Sequence, residues 1–289
     1  MSEDTVGFIG LGNIGLPMAQ TLVRGGLKVI AYDRRDEAVD KVVQLGGRAG
    51  GSVASVVADA KIIGICVVND AQVNGVIDEL LASPVTDAHL FIIHSTILPA
   101  TVKSIAERVA PAGVHIVDAQ VSGGDLRAAD GTLAVMVGGA EADVARCTEY
   151  FDALGSKIRH MGPVGAGAAT KLALQGMTFT NQLQLLESVR FAALHDVDET
   201  ALMDIASATT GESFMTRNWG HFDRQLFTHT LAGTEDLYRF YDKDLMCLAL
   251  AARDEGLSMP LTALSQQLLG PSFKQRKVEL DERGTSYDA

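Results

Sequence analysis

The chain has 289 residues, of which 47% are hydrophobic and 21% charged, a composition typical of a globular protein with room for two domains. Its formal net charge of −12 argues against nucleic acid or an anionic membrane as the main partner. Cys66, Cys147 and Cys247 show no C-x-x-C spacing, so we expect neither a disulfide framework nor a bound metal. The sequence shows no signal peptide and no apolar run that could cross a bilayer, and we expect a cytoplasmic protein.

A glycine-rich turn follows the first predicted strand, Val6–Ile9. A helix to about Arg24 and a second strand, Lys28–Tyr32, come after the turn. In this context the three glycines allow a tight turn, close approach of the backbone to a pyrophosphate, and close packing of the helix on the strand. The helix N-terminus adds N–H groups and a positive dipole end for the anion. The sequence therefore predicts a dinucleotide site formed by Gly10, Leu11, Gly12, Asn13, Ile14 and Gly15.

The residues after the second strand bear on the choice of cofactor. Asp33 can accept hydrogen bonds from the ribose hydroxyls of NAD, whereas Arg34 and Arg35 can hold the 2′-phosphate of NADP. The same residues also suit the capped and solvated start of a predicted helix, Asp36–Leu45. We expect a slight preference for NAD, with NADP tolerated.

Strands and helices then alternate as far as His160. The predicted strands are Ile62–Val68, Leu90–His94, His115–Asp118, Leu133–Val137 and Lys157–His160, and the predicted helices are Gln72–Leu81, Ala100–Val109 and Glu141–Leu154. This alternation predicts an α/β fold with a doubly wound parallel sheet, which binds ligands at the carboxyl ends of its strands. Val68, Asn69, Ser95 and Thr96 fall at such ends and are expected to face the cofactor, although Asn69 suits a turn equally well.

The segment Ser122-Gly123-Gly124 follows the strand that ends at Asp118. Two glycines after a serine expose backbone N–H groups beside a hydroxyl, an arrangement that suits a carboxylate. We therefore regard Ser122, Gly123 and Gly124 as candidate ligands of an anionic substrate group.

From Ala168 onward the sequence predicts only helices. We expect a Rossmann-type domain over residues 1–164 and an all-α domain over residues 165–289, joined by a long helix. The later helices are expected at Glu199–Ala208, Ser213–Trp219, Asp236–Glu255 and Pro260–Phe273, followed by a polar, loosely attached tail from Lys274 to Ala289.

Two charged positions in this half allow two interpretations. Lys171 and Gln175 share one face of the long helix, so Lys171 is either a solvated first-turn lysine or part of a cleft wall. The pair Lys243-Asp244 precedes a strongly apolar segment and is either a solvated face or part of a site at a domain interface.

Taken together, these segments resemble the β-hydroxyacid dehydrogenase family, which includes 3-hydroxyisobutyrate dehydrogenases and belongs to the 6-phosphogluconate dehydrogenase superfamily. The resemblance extends from Val6 to about Phe273 and rests on four motifs in the family's order. The motifs are Gly10–Ala19, Asp118–Gly124, Gly165–Lys171 and Lys243–Leu245.

The resemblance implies a role for each motif. Lys171 would be the catalytic residue. The substrate carboxylate would be bound by Ser122, Gly123 and Gly124, and Gln175 would also contact the substrate. Thr96 and Lys243 would contact the cofactor, and Asp244 would support Lys243 and the site. Two departures bear on the substrate. Gln175 replaces the asparagine usual in the family, and His94 and Gln120 replace an acidic residue and a proline; we expect His94 to be a packing residue.

The predicted reaction is reversible hydride transfer between NAD or NADP and a small 3-hydroxy acid, with Lys171 exchanging the hydroxyl proton. Imine reductases and reductive aminases share the architecture, but the presence of Lys171 counts against them. A nucleotide-bound module without chemistry is a second alternative. The apolar surface of the helical half predicts a homodimer or homotetramer.

Overall fold

The computed structural model describes residues 5–231 and 237–285. The chain divides into two compact units, Met1–Lys171 and Leu172–Ala289. The boundary falls within a long helix, which therefore contributes residues to both units.

Strands of the first unit form one sheet in the order β3-β2-β1-β4-β5-β6-β7-β8. They are β1 (Thr5–Ile9), β2 (Lys28–Tyr32), β3 (Arg48–Ala49), β4 (Ile62–Ile65), β5 (Leu90–Ile93), β6 (His115–Ser122), β7 (Leu133–Gly138) and β8 (Gly155–Gly162). All neighbouring strands pair in parallel except β6 and β7, which are antiparallel. The predicted doubly wound α/β sheet is confirmed, with one antiparallel step near its edge.

The helices of the first unit connect these strands. They are α1 (Gly15–Arg24), α2 (Asp36–Val43), α3 (Val53–Asp59), α4 (Asp70–Leu81), α5 (Pro99–Val109), a 3-10 turn (Ala110–Ala112), α6 (Gly124–Ala129), α7 (Glu141–Arg146) and α8 (Thr148–Leu154), followed by α9 (Ala166–Ala193). Helices α3 and α6 were not predicted from the sequence. The single helix expected over Glu141–Leu154 is wrong, because the backbone at Cys147 leaves helical geometry and separates α7 from α8.

Two apolar layers cover the two faces of the sheet. Strand β5, with the sequence Leu-Phe-Ile-Ile, is buried along its whole length. Continuous apolar runs of this kind belong to parallel strands covered by helices on both sides. One layer includes Phe8, Met18 and Phe151, and the other includes Ile63, Ile77 and Ile105.

The second unit is helical throughout its described residues. It contains the rest of α9 together with α10 (Glu199–Ser207), α11 (Phe214–Arg217), α12 (His221–Leu231), α13 (Leu237–Asp254) and α14 (Pro260–Glu282). Its core includes Phe179, Leu186, Phe222 and Phe273. The helix predicted over Asp236–Glu255 corresponds to α13, and its predicted first residue, Asp236, lies outside the described residues.

The expected loose tail from Lys274 is wrong as far as Glu282. Helix α14 continues to that residue, because Arg276 is buried and its guanidinium bonds the carboxylates of Glu199 on α10 and Asp223 on α12. A buried arginine with two carboxylate partners orders the last turns of the chain, where the polar composition alone indicated a solvated tail.

Candidate active site

The glycine turn lies at the carboxyl end of β1 and its three glycines have different surroundings. Gly10 has φ +93°, and its N–H donates to the Tyr32 carbonyl at 2.9 Å. A Cβ at Gly15 would lie 2.0 Å from the Gly10 carbonyl oxygen, whereas a Cβ at Gly12 would meet no protein atom within 4 Å. The fold itself therefore requires Gly10 and Gly15, and Gly12 leaves open space where a ligand can approach the backbone.

Helix α1 begins directly behind this turn. Its N-cap residue, Ile14, provides no side-chain hydrogen bond, and its first turn carries no acidic residue. In this described turn, no acidic side chain would repel an anion bound at the helix N-terminus, and no side-chain cap occupies its N–H groups. The turn therefore fits the pyrophosphate of a dinucleotide, with Leu11 buried beneath it and Asn13 exposed beside it.

Asp33, at the end of β2, is held against the glycine turn. Its carboxylate accepts a hydrogen bond from the Leu11 N–H at 2.7 Å and from Nε of Arg35 at 3.1 Å. Arg35 also donates to the Leu11 carbonyl at 2.9 Å. Burial acts to raise the pKa of Asp33, but the Arg35 and Leu11 hydrogen bonds prevail and lower the pKa below its usual value. Arg34 is exposed.

The loops after β4 and β5 meet through Ser95, whose hydroxyl oxygen accepts a hydrogen bond from the Val67 N–H at 2.8 Å. Val68 is exposed, Asn69 is the N-cap of α4 with its side chain bonded to the Gln72 N–H, and Thr96 is partly exposed. Asn69 thus has the structural role that the sequence left open. Its role toward a cofactor stays a prediction, as do those of Val68 and Thr96.

His94 is buried between β5 and its neighbours. Its Nδ1 lies 2.7 Å from the Ala119 carbonyl and its Nε2 lies 2.9 Å from the Tyr150 hydroxyl. Because Nδ1 must donate to the carbonyl, Nε2 accepts from the hydroxyl. Burial lowers the pKa of His94 to about 4, and the ring stacks between Phe8 and Tyr150. These contacts are those of a neutral packing residue.

Asp118 on β6 holds the start of α9. Its buried carboxylate accepts hydrogen bonds from the N–H groups of Gly165 at 2.7 Å and Ala168 at 2.8 Å. Burial raises the pKa of Asp118, and these backbone bonds offset part of the rise. Lys171 follows Ala168 by three residues on the same helix, so Asp118 sets the position of the segment that carries Lys171. This role of Asp118 was not predicted from the sequence.

Ser122, Gly123 and Gly124 lie where β6 ends and α6 begins. Gly123 has φ +141° and Gly124 has φ +74°, which are left-handed conformations that glycine adopts without strain. Helix α6 receives no side-chain cap. Asp118, Gln120 and Ser122 alternate along one face of β6, so the serine shares a face with the carboxylate that holds α9.

In the helical unit, Gln175, Lys243 and Asp244 come together. Nε2 of Gln175 donates to Oδ2 of Asp244 at 2.7 Å, and Nζ of Lys243 lies 2.9 Å from Oδ1 of the same carboxylate. Asp244 is buried. Within this unit the structure therefore brings Gln175 to two adjacent residues that lie 68 and 69 positions further along the chain.

Metal and membrane features are not found in the part of the chain that the structure describes. No group of three or more His, Cys, Asp or Glu side chains in residues 5–231 and 237–285 is arranged to hold a metal ion. Among the same residues, no helix is long and apolar enough to cross a membrane.

Comparison with known families gives two matches that together extend over most of the chain. Residues 5–162 match the NAD-binding domain of 6-phosphogluconate dehydrogenase. Residues 165–283 match the NAD-binding family of NADP-dependent 3-hydroxyisobutyrate dehydrogenase.

Individual proteins show the same relationship. An uncharacterised oxidoreductase from Mycobacterium tuberculosis is 44% identical over 201 residues, 68% of this chain and 67% of that protein. The mitochondrial 3-hydroxyisobutyrate dehydrogenase of Drosophila melanogaster is 32% identical over 71% of this chain and 64% of its own length. A solved structure of Mycobacterium tuberculosis 3-hydroxyisobutyrate dehydrogenase with L-serine is 25% identical, with a TM-score of 0.82 over 93% of this chain and 94% of that one.

The doubly wound sheet, the glycine turn and the helical second unit define a nicotinamide-dependent oxidoreductase. The chain belongs to the β-hydroxyacid dehydrogenase family, the group of 3-hydroxyisobutyrate dehydrogenase and its relatives. It is therefore an NAD(P)-binding enzyme that acts on a small molecule.

Proposed function

We propose that this protein oxidises a small 3-hydroxy acid to its semialdehyde, and catalyses the reverse reduction, with Lys171 as the general acid and base. The observation that carries the proposal is the pair of hydrogen bonds from Gly165 and Ala168 to Asp118. They hold the turn of α9 that leads to Lys171 on the face of β6 that also carries Ser122. A proton-exchanging lysine and a carboxylate-binding serine–glycine segment are what this reaction needs from the protein.

Each residue has a distinct role in the proposal. The Ser122 hydroxyl and the backbone N–H groups of Gly123 and Gly124 bind the substrate carboxylate. Lys171 takes the proton of the substrate hydroxyl during oxidation and returns it during reduction. A bound nicotinamide would accept the hydride in one direction and supply it in the other.

The cofactor would be held by residues from several strand ends. Gly12 leaves room for the pyrophosphate, Asp33 would bind the adenosine ribose, and Val68, Asn69, Thr96, Lys243 and Asp244 would complete the site. We propose a modest preference for NAD, because the Asp33 carboxylate lies at the glycine turn and Arg35 is already bonded to it. A curated relative named NAD-dependent L-serine dehydrogenase, from Pseudomonas aeruginosa, is 28% identical over 96% of this chain.

Imine reductases and reductive aminases are the competing enzymes of this architecture. Solved examples resemble this chain with TM-scores of 0.64 to 0.66 at 16% to 18% identity, a likeness of fold alone. The presence of Lys171 favours the hydroxy acid reaction over imine reduction. A nucleotide-bound module without chemistry is less favoured still, because both Lys171 and Ser122-Gly123-Gly124 are present.

The proposal extends to assembly and location. We propose a homodimer or homotetramer that joins through the helical unit, where Phe191 and Leu194 are exposed on α9 and just beyond it. A cytoplasmic location stays a prediction from the sequence.

The reaction is tested by following nicotinamide absorbance with NAD and NADP separately, across short 3-hydroxy acids and their semialdehydes. Lys171→Ala should lose nearly all turnover, by a factor on the order of a hundred or more, and should keep cofactor affinity. A matched control is Lys41→Ala, an exposed lysine of helix α2, which should retain turnover. Full activity of Lys171→Ala would remove Lys171 from the catalytic role, and silence of the wild type across the panel would refute the reaction class.

A further inference from the structure

The backbone pairing between β5 and β6 ends before β6 does. It extends from Leu90 and His115 to Ile93 and Asp118, whereas β6 continues to Ser122 and pairs there with β7. In doubly wound sheets, ligands bind at the carboxyl ends of the strands. The end of the β5–β6 pairing therefore lies on the edge of the sheet that carries the candidate site.

Two side chains continue the connection beyond that point. Nε2 of Gln120 on β6 donates to the carbonyls of Ile93 and Ser95, at 3.2 Å each. Because both partners are acceptors, the NH₂ group of Gln120 must face them. In the other direction, Nδ1 of His94 lies 2.7 Å from the Ala119 carbonyl. One side chain from each strand region thus bonds the backbone of the other.

The bond to Ser95 orients the loop after β5. The Ser95 carbonyl and the Thr96 N–H belong to one planar peptide, so a bond to the carbonyl also restrains the plane of the Thr96 amide. The Ser95 hydroxyl accepts a hydrogen bond from the Val67 N–H at 2.8 Å. Gln120 therefore holds, through Ser95, both of the loops in which cofactor contacts are expected.

Gln120 gives the fold little stability in return for its burial. Its side chain is fully buried, and among the described residues its Oε1 atom has no hydrogen-bond partner. A buried acceptor without a partner destabilises the folded state, and the two Nε2 bonds are at the long end of the usual range. An apolar side chain of the same size would remove both effects, so its net effect on stability is expected to be small.

We propose that Gln120 is a positioning residue that sets the distance between the loop after β5 and the Ser122 segment of β6. Ser122 follows Gln120 by two residues on the same face of the strand. In the proposed function, on which this inference rests, Thr96 contacts the cofactor and Ser122 binds the substrate. The rate of hydride transfer falls steeply when the two ligands are displaced from each other. Gln120 affects their separation and, being fully buried, contacts neither.

Hydrogen exchange in the cofactor-free enzyme tests the anchoring itself. Gln120→Met keeps a flexible side chain of similar length and removes the amide. Residues 94–98 should exchange at least about tenfold faster in this variant, because the Ser95 carbonyl has lost its bond to β6. Strand β1 should exchange at the wild-type rate. Unchanged exchange over residues 94–98 would overturn the proposal.

Kinetics distinguishes positioning from binding. Gln120→Met should lower kcat at least about tenfold. The Kd of NAD, measured by calorimetry, and the KM of the hydroxy acid should change by less than about threefold. The primary isotope effect on kcat, measured with deuterium on the carbinol carbon, should rise because hydride transfer then limits turnover.

The matched control is His89→Leu, at the opposite end of β5. His89 is buried, its Nδ1 accepts a hydrogen bond from the Thr86 N–H at 2.9 Å, and its Nε2 lies 3.2 Å from the Val57 carbonyl. His89→Leu should lower Tm and keep kcat and the isotope effect. Gln120→Met should show the reverse pattern, with Tm within about 3 °C of the wild type.

The outcomes separate this proposal from the proposed function. If the wild type oxidises none of the hydroxy acids, the proposed function fails, and faster exchange in Gln120→Met would still support the anchoring. If the wild type is active and Gln120→Met keeps its kcat, the positioning role is overturned while the proposed function stands.

Two further results would overturn the positioning role. A loss of kcat that is matched by an equal loss of NAD affinity would make Gln120 a binding residue. Gln120→Leu repeats the series with a second apolar side chain. If Gln120→Met and Gln120→Leu both lose stability along with activity, or both fail to fold, Gln120 stabilises the fold and does not act by positioning.

Discussion

The Asp118 carboxylate accepts a hydrogen bond from the main-chain N–H of Ala168 across 50 residues of sequence. It also accepts one from Gly165, so one side chain of β6 serves two donors at the start of α9. The first N–H groups of a helix have no partner within the helix itself. Asp118 supplies that partner from the sheet, and in doing so fixes the helix that carries Lys171.

We predict that Asp118→Asn destabilises the protein and lowers turnover. Asparagine keeps one acceptor oxygen, and its NH₂ group would face an N–H that then lies buried without a partner, at a cost of about 1–3 kcal/mol. Denaturant unfolding would measure this loss. We expect kcat to fall more than cofactor affinity, because the change acts on the segment that leads to Lys171.

The matched control is Asp198→Ala, which removes an exposed N-cap bond to Ala201 at the start of α10. It should cost about 1 kcal/mol and leave kcat unchanged. If Asp118→Asn were as active as Asp198→Ala, Asp118 would have no part in positioning Lys171.

Features of the fold that depend on residues close together in the sequence could be predicted from the sequence. The glycine turn combines a strand, three glycines at fixed spacing and a helix within 20 residues of Thr5, and the apolar runs of the strands indicate burial directly. The architecture of both halves followed from these local patterns.

The contacts that position the site could not be predicted in the same way. Asp118 meets Gly165 at a separation of 47 residues, and Gln175 meets Asp244 at a separation of 69. In the sequence, Arg276 resembles a solvated arginine on a helix. In the folded chain it binds the carboxylate of Glu199, which lies 77 residues away in sequence. Such pairs form only in the folded chain, and no local sequence pattern predicts them.

Asp33 allows a test of cofactor preference. Its carboxylate accepts hydrogen bonds from Leu11 in the glycine turn and from Arg35, which also bonds the Leu11 carbonyl. We predict that Asp33→Ala lowers kcat/KM for NAD about tenfold and changes that for NADP much less, since the ribose hydroxyls lose an acceptor and no negative charge remains to oppose the 2′-phosphate. Steady-state kinetics with each cofactor measures the ratio.

Arg34→Ala is the matched control for this pair of residues. Arg34 is exposed beside Asp33, and its loss should lower kcat/KM for NADP and not for NAD. If Asp33→Ala lowered kcat/KM equally for both cofactors, Asp33 would stabilise the glycine turn and would not bind the ribose.

The apolar surface of the helical unit gives a prediction about assembly. A groove of about 520 Å³ is lined by Phe191, Ala192, Val197 and Leu202, among others, and Leu194 beside it is 80% exposed. We predict that light scattering at micromolar concentration reports a dimer or tetramer. Phe191→Glu with Leu194→Glu should shift the mass toward the monomer, because charges there would be buried on association. A monomeric wild type would refute the prediction.

The buried cluster around Arg276 gives a prediction about pH. Burial acts to raise the pKa of Glu199, but hydrogen bonds from Arg276, Arg283 and Trp219 prevail and lower the pKa to about 2 from a usual value of 4.5. A carboxyl group whose pKa is lowered in the folded protein stabilises the fold above its unfolded pKa. That contribution is lost as the pH falls from about 4.5 through about 2.

We therefore predict that Glu199→Gln costs about 3 kcal/mol of unfolding free energy at pH 7 and less than half of that at pH 3. Denaturant unfolding of wild type and variant at both pH values measures the difference. The matched control is Glu212→Gln, which breaks an ion pair with Arg217 at 2.9 Å in which both side chains are at least half exposed. That change should cost under about 1 kcal/mol at pH 7. An equal cost of Glu199→Gln at both pH values would contradict the assignment of the stabilisation to the ionised carboxylate.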